Sequence, residues 1–557
     1  MPQGKPTFAA VLSFIAAGAL ALLATGCGNP LFSQKDYLKR TIAPEEVREI
    51  QTTDLQEQST TPPVSVEQGA ADVLQRVTEK PPPAETLELE LAEVRAAAIR
   101  NNLDLGVEVY TPAIAELNVD VEEARFESVF FASFNHVVTD SPVILGTEGS
   151  NVKFNQYDLG VDIPLRTGGT VRVDLPFNDI ETNNPFSLLN PAYEADLRFS
   201  ISQPLLRNAG VNVNTHPIRV ARYEARAAEA RTKLEAIRIL ANADRVYWAL
   251  YAARRELEVR QQQYELAMTQ LERARRRVNA GDAAPIEITR AESGVASSLQ
   301  NIIIAQTEIS QRQRDLKRIM NREDLPMRGP TQLLTATTPN PVGLTLDPQD
   351  LIAKAVANRM EMLELELQLA ADASAIDFTR NQKLPLVALD YSYSINGLGT
   401  SYRKAFGQLP DHSFEDWSVG LRAEIPIGNE AAEALYHQAI LLRLQRLATR
   451  ELRRAAIEQE VLDAIDFIEQ NWQRILAARQ ESLLAGRTYE GEKRQFEVGL
   501  RTSTDVQDAL VELADAQSRE VQALADYQIS QVDLAFATGT LLGHGRVRWE
   551  PPAILPE

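Results

Sequence analysis

The sequence predicts an α+β membrane protein in which amphipathic β-strands alternate with very long α-helices. Three observations predict this class: segments of about ten residues alternate apolar and polar positions, helical patterns run for up to about 65 residues, and both features recur in the two halves of the chain. With 44% hydrophobic and 24% charged residues, the composition allows a large core. The pattern therefore favours a membrane-inserted sheet joined to a helical bundle.

Charge and composition exclude several function classes. The chain has 77 acidic and 57 basic residues and a net charge of −20, which argues against a nucleic-acid partner. Its single cysteine excludes an internal disulfide and a cysteine-cluster metal site. No zinc-type spacing joins the five histidines, and no phosphate-binding glycine loop occurs. We therefore expect no enzyme, no metal and no cofactor. The histidines are His136, His216, His412, His437 and His544.

The first 26 residues have the organisation of an export signal. Lys5 precedes an apolar stretch that runs from about Phe8 to Ala24, and Cys27 follows Thr25-Gly26. The segment 22–27 resembles a bacterial lipobox, although Ala24 stands where leucine is usual. We predict a covalent lipid on Cys27, the alternative being an ordinary cleaved signal with an incidental cysteine. Residues 27–85 are polar and proline-rich, which predicts a flexible tether.

Two strand segments correspond between the halves at a constant offset of 257 residues. Alternate positions from Phe130 to Val138 fall on those from Val387 to Ile395, where the intervening residues are small or polar. Leu87-Glu88-Leu89 and Leu344-Thr345-Leu346 precede them and are predicted to open helices. About ten residues is the length with which a tilted strand crosses a bilayer.

A returning strand is predicted in each half, at about residues 193–201 and 417–425. One face of each is apolar and the other is charged. A soluble sandwich would also alternate, but repeated charges on the second face favour a polar lumen. Tyr193, Tyr391, Tyr393 and Trp417 suit a membrane interface, the alternative being ordinary strand aromatics.

Helices of unusual length follow the returning strands. The first runs from about Thr215 to Asn279, and a helix of that length spans close to 100 Å. Apolar residues recur every seven positions, as in coiled coils, and the corresponding series in the second half lies at an offset of 218. Shorter helices, about Pro285–Met320 and Thr504–Ala537, follow tight turns at Ala280-Gly281 and Val498–Leu500. Each half thus predicts an antiparallel helical hairpin.

The first half is longer than the second, and most of the surplus lies between its two strands. There, at about residues 150–185, two further alternating segments flank Thr167-Gly168-Gly169-Thr170. This pattern predicts an inserted β-hairpin. The sequence leaves open whether it enlarges a barrel or forms an external flap.

Taken together, residues 86–543 resemble the TolC family of outer-membrane efflux proteins. The resemblance implies a homotrimer in which each chain gives four strands to a shared 12-stranded transmembrane β-barrel, continuous with an antiparallel α-helical coiled-coil tunnel across the periplasm. It also implies a periplasmic adaptor, an inner-membrane transporter and a lipid-anchored location in the bacterial outer membrane. Geometry agrees, because four strands cannot close a barrel in lipid without neighbouring chains.

The predicted domains follow from this resemblance. They are the signal peptide 1–26, the tether 27–85, a first repeat 86–320, a linker 321–343, a second repeat 344–543 and a tail 544–557. The predicted function is a passive exit duct in tripartite efflux or type I secretion. The alternative is a lipid-anchored coiled-coil envelope scaffold without channel activity.

Residues 496–509 resemble the family's second hairpin tip. The resemblance implies that Asp505 and Asp508 line the periplasmic aperture and that Arg501 helps to hold it shut. Glu287 occupies the place of an acid that pairs with this arginine, so we hypothesise a gate pair between Arg501 and Glu287. The alternative is that the aspartates serve the first turn of a helix, with Thr504 or Ser503 as the cap. The adaptor-contacting residues implied at the tips are Gly281, Val498, Gly499 and Leu500.

Overall fold

The computed structural model describes residues 58–60, 62, 64–66, 85–142 and 149–550. Every helix and strand treated below lies in the unit Pro81–Glu557. The predicted signal peptide, Cys27 and most of the predicted tether lie outside the described residues.

Six long strands form one antiparallel sheet. Its order is β2-β3-β4-β5-β7-β8. All six have the ten or more residues that a tilted strand needs to cross a bilayer. The strands are β2 Val129–Asp140, β3 Asn151–Pro164, β4 Thr170–Thr182, β5 Ala192–Pro204, β7 Leu386–Gly399 and β8 Glu415–Glu424.

The predicted inserted hairpin is confirmed as β3 and β4. It lies in the sheet between β2 and β5. The sheet of this chain therefore has six strands, two more than the resemblance implies for each chain. Its turn needs a left-handed residue, which Gly168 supplies with a φ of 91°.

The register gives the sheet one apolar and one polar face. Directly opposed residues form rows across all six strands, and opposed residues lie on the same face. Phe130 and Trp417, at the two ends of one apolar row, are 66% and 71% exposed. The complete row is Phe130, Val161, Val173, Phe199, Tyr393 and Trp417.

The polar face is concave. A cleft on this side is lined by residues from all six strands, including Asp162, Arg172, Ser200 and Asp390. Arg172 forms a two-pronged ion pair with Asp162 of the neighbouring strand, at 2.6 and 2.7 Å. The sheet thus exposes bulky apolar side chains on one face and forms ion pairs on the other.

Two helices of exceptional length begin where the strands end. They are α4, His216–Asn279, with 64 residues, and α9, Glu430–Glu497, with 68 residues. At 1.5 Å per residue each is about 100 Å long. Each turns back into a shorter helix, α5, Ile286–Met320, or α10, Ser503–Ala537. The predicted bounds of α4, α5 and α10 are confirmed to within about one residue, and no bounds were predicted for α9.

Shorter elements surround the middle of the long helices. They are α1 Leu91–Asn101, α2 Leu103–Glu108, α3 Tyr110–Glu123, α6 Pro348–Asn358 and α7 Met360–Gln382, whereas α8, Tyr402–Gln408, packs against β5 and β7. Near the sheet, α3 and α7 pack against α4, and α7 also packs against α9. Farther from the sheet, α5 packs against α4, and α10 packs against both α9 and α4. Four helices therefore run side by side both near the sheet and farther from it.

A second, small sheet corrects two predictions. Leu87 to Leu89 belong to strand β1, Thr86–Leu89, and not to a helix. They pair in parallel with β6, Gln332–Thr335, which lies inside the predicted linker 321–343. This partner is some 245 residues away in sequence, so local periodicity gave no sign of it. In the second half, Leu344–Leu346 lie in neither helix nor strand, and α6 begins at Pro348.

Buried ion pairs connect the short helices to the long ones. Arg95 of α1 donates two hydrogen bonds, 2.8 and 2.7 Å, to the fully buried carboxylate of Asp244 in α4. Glu361 of α7 accepts from Arg359 and from Arg453 of α9. Burial raises the pKa of Glu361, but these hydrogen bonds outweigh it and lower the pKa to about 2.

Candidate functional site

The first hairpin tip is a short turn closed by the backbone. After α4, Gly281 adopts a φ of 81°, and its N–H donates to the Val278 carbonyl at 3.0 Å. Asp282 N–H donates to the Arg277 carbonyl at 2.9 Å. These bonds occupy carbonyls that have no partner within the helix, which is how a left-handed glycine ends a helix.

The second tip repeats this turn with an apolar apex. Gly499 also has a φ of 81°, and Leu500 N–H donates to the Gln495 carbonyl at 2.9 Å. Val498 and Leu500 are 71% and 76% exposed. Asp282 of the first tip occupies the place of Leu500 at the offset of 218, so the two tips present different chemistry. The predicted turns at Gly281 and Gly499 are confirmed.

Three polar contacts, here termed the tip contacts, join the two hairpins. Arg277 Nη1 donates to the Phe496 carbonyl at 2.7 Å, and its guanidinium lies 4.7 Å from the centre of the Phe496 ring. Ser503 N–H donates to Glu287 Oε2 at 2.9 Å. Arg273 pairs with Glu497 at 3.1 Å.

The tip contacts act on helix ends. The Phe496 carbonyl, one of the last four of α9, also accepts from Gly499 N–H at 3.0 Å, whereas the Ser503 N–H is the first of α10 and has no partner within its helix. Side chains of the first hairpin thus add a bond at the end of α9 and cap the start of α10. A cation at the carboxyl end and an anion at the amino end also match the two helix dipoles.

Close packing extends from the tips along the bundle. Leu271, Val295, Phe496 and Leu510 belong to one buried cluster shared by both hairpins. A methyl group built on Gly294 would lie 2.6 Å from the Gln507 side chain, so α5 and α10 approach closely there. The second hairpin therefore cannot move away from the first without opening this cluster.

The hypothesised pair between Arg501 and Glu287 is not formed within the chain. Arg501 Nε lies 3.1 Å from Glu492 Oε2 and donates to Gln495 at 3.1 Å. Glu287 pairs with Arg290 at 2.7 Å, in addition to its bond with Ser503 N–H. Glu287 is occupied because α10 begins beside it with an unsatisfied N–H, a partner that residue spacing does not reveal.

The two aspartates have different surroundings. Asp505 completes a capping box, since its Oδ2 accepts from the Thr502 N–H and hydroxyl, both at 2.8 Å, while Thr502 caps α10. The helix cap is therefore Thr502, and the alternative of Thr504 or Ser503 is wrong. The bonds from Thr502 lower the pKa of Asp505, so its carboxylate is charged at neutral pH. Asp508, one turn later, is exposed.

Sequence reasoning missed Arg277. It lies in a run with four arginines among residues 273–277, at the end of α4. Basic residues favour the last turn of a helix, so this position has an ordinary local explanation. The helix end that Arg277 actually contacts belongs to the other hairpin, 219 residues away. Among the described residues, no group of three or more His, Cys, Asp or Glu side chains is placed to hold a metal ion.

Comparison with known proteins agrees with this geometry. The family described as outer membrane efflux protein matches residues 190–322 and 351–540, more than half of the chain. The chain belongs to this family. It is therefore an outer-membrane efflux protein of the TolC type, and the matched family is a transport family and not an enzyme family.

Named relatives resemble the chain in sequence, and solved structures resemble it in fold. The outer membrane protein TolC of Vibrio cholerae is 22% identical over 60% of this chain and 74% of its own length. TolC of Escherichia coli is 24% identical over 54% of this chain and 62% of its own length, so over a third of that relative is unmatched. The CmeC outer membrane channel of Campylobacter jejuni has a TM-score of 0.59 at 14% identity, over 81% of this chain and 86% of CmeC. That likeness shows the fold.

No helix in the described part of the chain is both long and apolar enough to cross a bilayer.

Proposed function

We propose that the protein is the outer-membrane channel of a tripartite efflux or type I secretion system. Three chains form a continuous duct in which the sheets close a transmembrane barrel and the helical hairpins form a tunnel through the periplasm. The duct is passive: a periplasmic adaptor opens it, and an inner-membrane transporter supplies the energy.

One observation carries the proposal. A sheet with an exposed apolar face and a charged concave face continues directly into two helices of about 100 Å. The outer strands β2 and β8 leave unpaired edges in one chain, and such edges are not stable in lipid. Since β2 and β8 run in opposite directions, β8 of one chain can pair antiparallel with β2 of the next.

The hairpin tips form the proposed gate. In a trimer, Asp505 and Asp508 contribute six carboxylates to the periplasmic aperture, a ring that attracts cations. The tip contacts hold the second hairpin against the first, so Arg277 and Glu287 stabilise the closed arrangement. Arg501 orients the second tip through Glu492. A contact between Arg501 and Glu287 of the next chain remains part of the gate hypothesis.

The tips are also the proposed adaptor contacts. Val498 and Leu500 expose apolar side chains at a turn where the backbone is fixed by Gly499. Such a pair gives a partner a compact apolar anchor. Gly281 marks the corresponding turn of the first hairpin, where Asp282 makes the contact polar. The lipid proposed on Cys27 would add an anchor to the outer membrane.

A channel and a scaffold differ in measurable ways. The purified full-length protein should run as a trimer that resists detergent and dissociates on heating, and it should give discrete openings in a planar bilayer. A lipid-anchored coiled-coil scaffold needs neither a barrel nor conductance. Silent bilayers from a sample shown to be inserted, together with monomers before heating, would favour the scaffold.

A further inference from the structure

The inserted hairpin β3–β4 has the design of a membrane-spanning strand pair. Its strands have 14 and 13 residues, and the other four strands of the sheet have 10 to 14. On one face, Leu159 opposes Leu175 and Val161 opposes Val173, and Leu159 and Val173 are 36% and 38% exposed. This apolar face runs from Ile163–Val171 to Tyr157–Phe177, and the polar pairs Asn155–Asp179 and Lys153–Glu181 follow at the far end. An external flap in water has no reason to keep such an apolar band.

Ion pairs and small residues fill the other face of the hairpin. Asp162 of β3 pairs with Arg172 of β4 at 2.6 Å, and Asp174 pairs with Arg198 of β5 at 3.6 Å. Gly160 lies under the Phe131 ring of β2, where any Cβ would clash at 2.5 Å. Between Gln156 and Asp162 the inserted strands therefore continue the polar face of their neighbours, and the pair Phe154–Ile180 follows on this face at the far end.

Both ends of the hairpin are fastened to the rest of the sheet. At the helical end, the Thr167 carbonyl accepts from Gly210 N–H at 3.0 Å, and Gly168 leaves room for the Asn208 backbone. At the far end, Tyr402 of α8 packs on Phe177 with ring centres 5.5 Å apart. The hairpin is thus anchored both at the start of the long helix and at the outer rim.

We propose that the inserted hairpin widens the outer-membrane pore, so that the trimer forms an 18-stranded barrel in place of a 12-stranded one. The proposal rests on the trimeric duct proposed above. Two added strands preserve antiparallel alternation, and the register keeps Phe130 and Phe199 on the same face whether or not β3 and β4 lie between them.

The expected widening follows from strand geometry. With strands about 4.8 Å apart and tilted by about 40°, eighteen strands give a backbone diameter of about 36 Å, against about 24 Å for twelve. The cross-section at this depth therefore grows about twofold. The tunnel tolerates the larger ring, since twelve helices spaced 8–10 Å apart have a circumference of about 100–120 Å, close to that of eighteen strands.

Neutral polymers of graded size measure this pore width. They are added only to the extracellular side of a planar bilayer, so they do not have to pass the periplasmic gate. The comparison is between the full chain and a variant that lacks residues 151–182. We expect polymers to enter the full-length pore up to a radius about 1.5-fold larger than in the deletion variant. If both proteins conduct and exclude polymers above the same radius, the proposal is overturned.

Thiol labelling tests the full-length protein even if the deletion variant fails to fold. Gln156→Cys lies on the polar face of β3 and Leu159→Cys on the apolar face, and the parent, with Cys27 alone, gives the background. In proteoliposomes, a charged, membrane-impermeant thiol reagent should label Gln156→Cys at least tenfold faster than Leu159→Cys. Equal labelling would mean a flap in water. If Gln156→Cys were labelled much faster than Leu159→Cys but the protein did not conduct, the result would contradict the proposed duct and not the proposed number of strands.

Discussion

Replacing Arg277 with alanine removes its contacts with the last turn of α9 and leaves the Arg273–Glu497 pair in place. The substitution removes a charged hydrogen bond of 2.7 Å to the Phe496 carbonyl and a cation–π contact of 4.7 Å. Hydrogen bonds to charged groups contribute about 1.5–3 kcal/mol and exposed cation–π contacts about 0.5–1 kcal/mol. Because Arg277 is only half-buried, we take the low end, about 2 kcal/mol, as the expected loss.

The assay is amide hydrogen exchange of the second tip in the purified trimer. The N–H groups of Gly499 and Leu500 are bonded within this turn, so local opening of the turn sets their exchange rate. A loss of about 2 kcal/mol predicts about 30-fold faster exchange. Arg275→Ala is the matched control, since it breaks an exposed pair with Glu292 and should change exchange less than about fivefold. Unchanged exchange in Arg277→Ala, or equal acceleration in both variants, would refute the reasoning.

Three further predictions concern buried or capping charges. Glu287→Ala leaves the Ser503 N–H unpaired and should cost about 1–2 kcal/mol locally, seen as faster exchange in the first turn of α10; exchange at the wild-type rate would contradict the capping role. Arg95→Ala leaves the buried carboxylate of Asp244 uncompensated and should lower the free energy of unfolding in denaturant by about 3–5 kcal/mol, whereas a loss below about 1 kcal/mol would contradict the ion pair. Glu361, with a pKa lowered to about 2, stabilises the fold above its unfolded pKa near 4.5. That contribution, up to about 3 kcal/mol, should vanish as the pH falls from about 5 to 2, and Glu361→Gln should remove this part of the pH dependence of unfolding.

Local periodicity predicted the elements well. Alternation located β2, β5, β7 and β8, and the heptad pattern located α4, because both signals depend on neighbouring residues along the chain. The tight turns were found for the same reason, since Gly281 and Gly499 sit where the helical pattern stops.

Pairings between distant segments were not predictable. The local pattern predicts a helix at Leu87–Leu89, because the parallel partner strand Gln332–Thr335 lies far along the chain. The hairpin β3–β4 was recognised, but its place in the sheet depends on the register with β2 and β5.

The residues of the candidate site also fall into those that local sequence patterns predict and those that only the packing reveals. Residue types at the second tip pointed to Asp505 and Asp508, whereas Arg277 and the true partner of Glu287 emerged only from the packing of the two hairpins. When a side chain from one segment caps a helix end of another segment, neither segment has a local sequence pattern that reveals the contact. Thr502 shows the opposite case, because its capping box with Asp505 is a local pattern that could have been identified.

Ion selectivity tests the central claim, an acidic-mouthed duct, most directly. The reversal potential of single channels in a salt gradient should show cation preference in the wild-type protein. Asp505→Asn with Asp508→Asn should reduce that preference strongly while the channels stay open, since asparagine keeps a capping oxygen at 505 and removes only charge. Channels whose selectivity is the same before and after the double substitution would contradict the account.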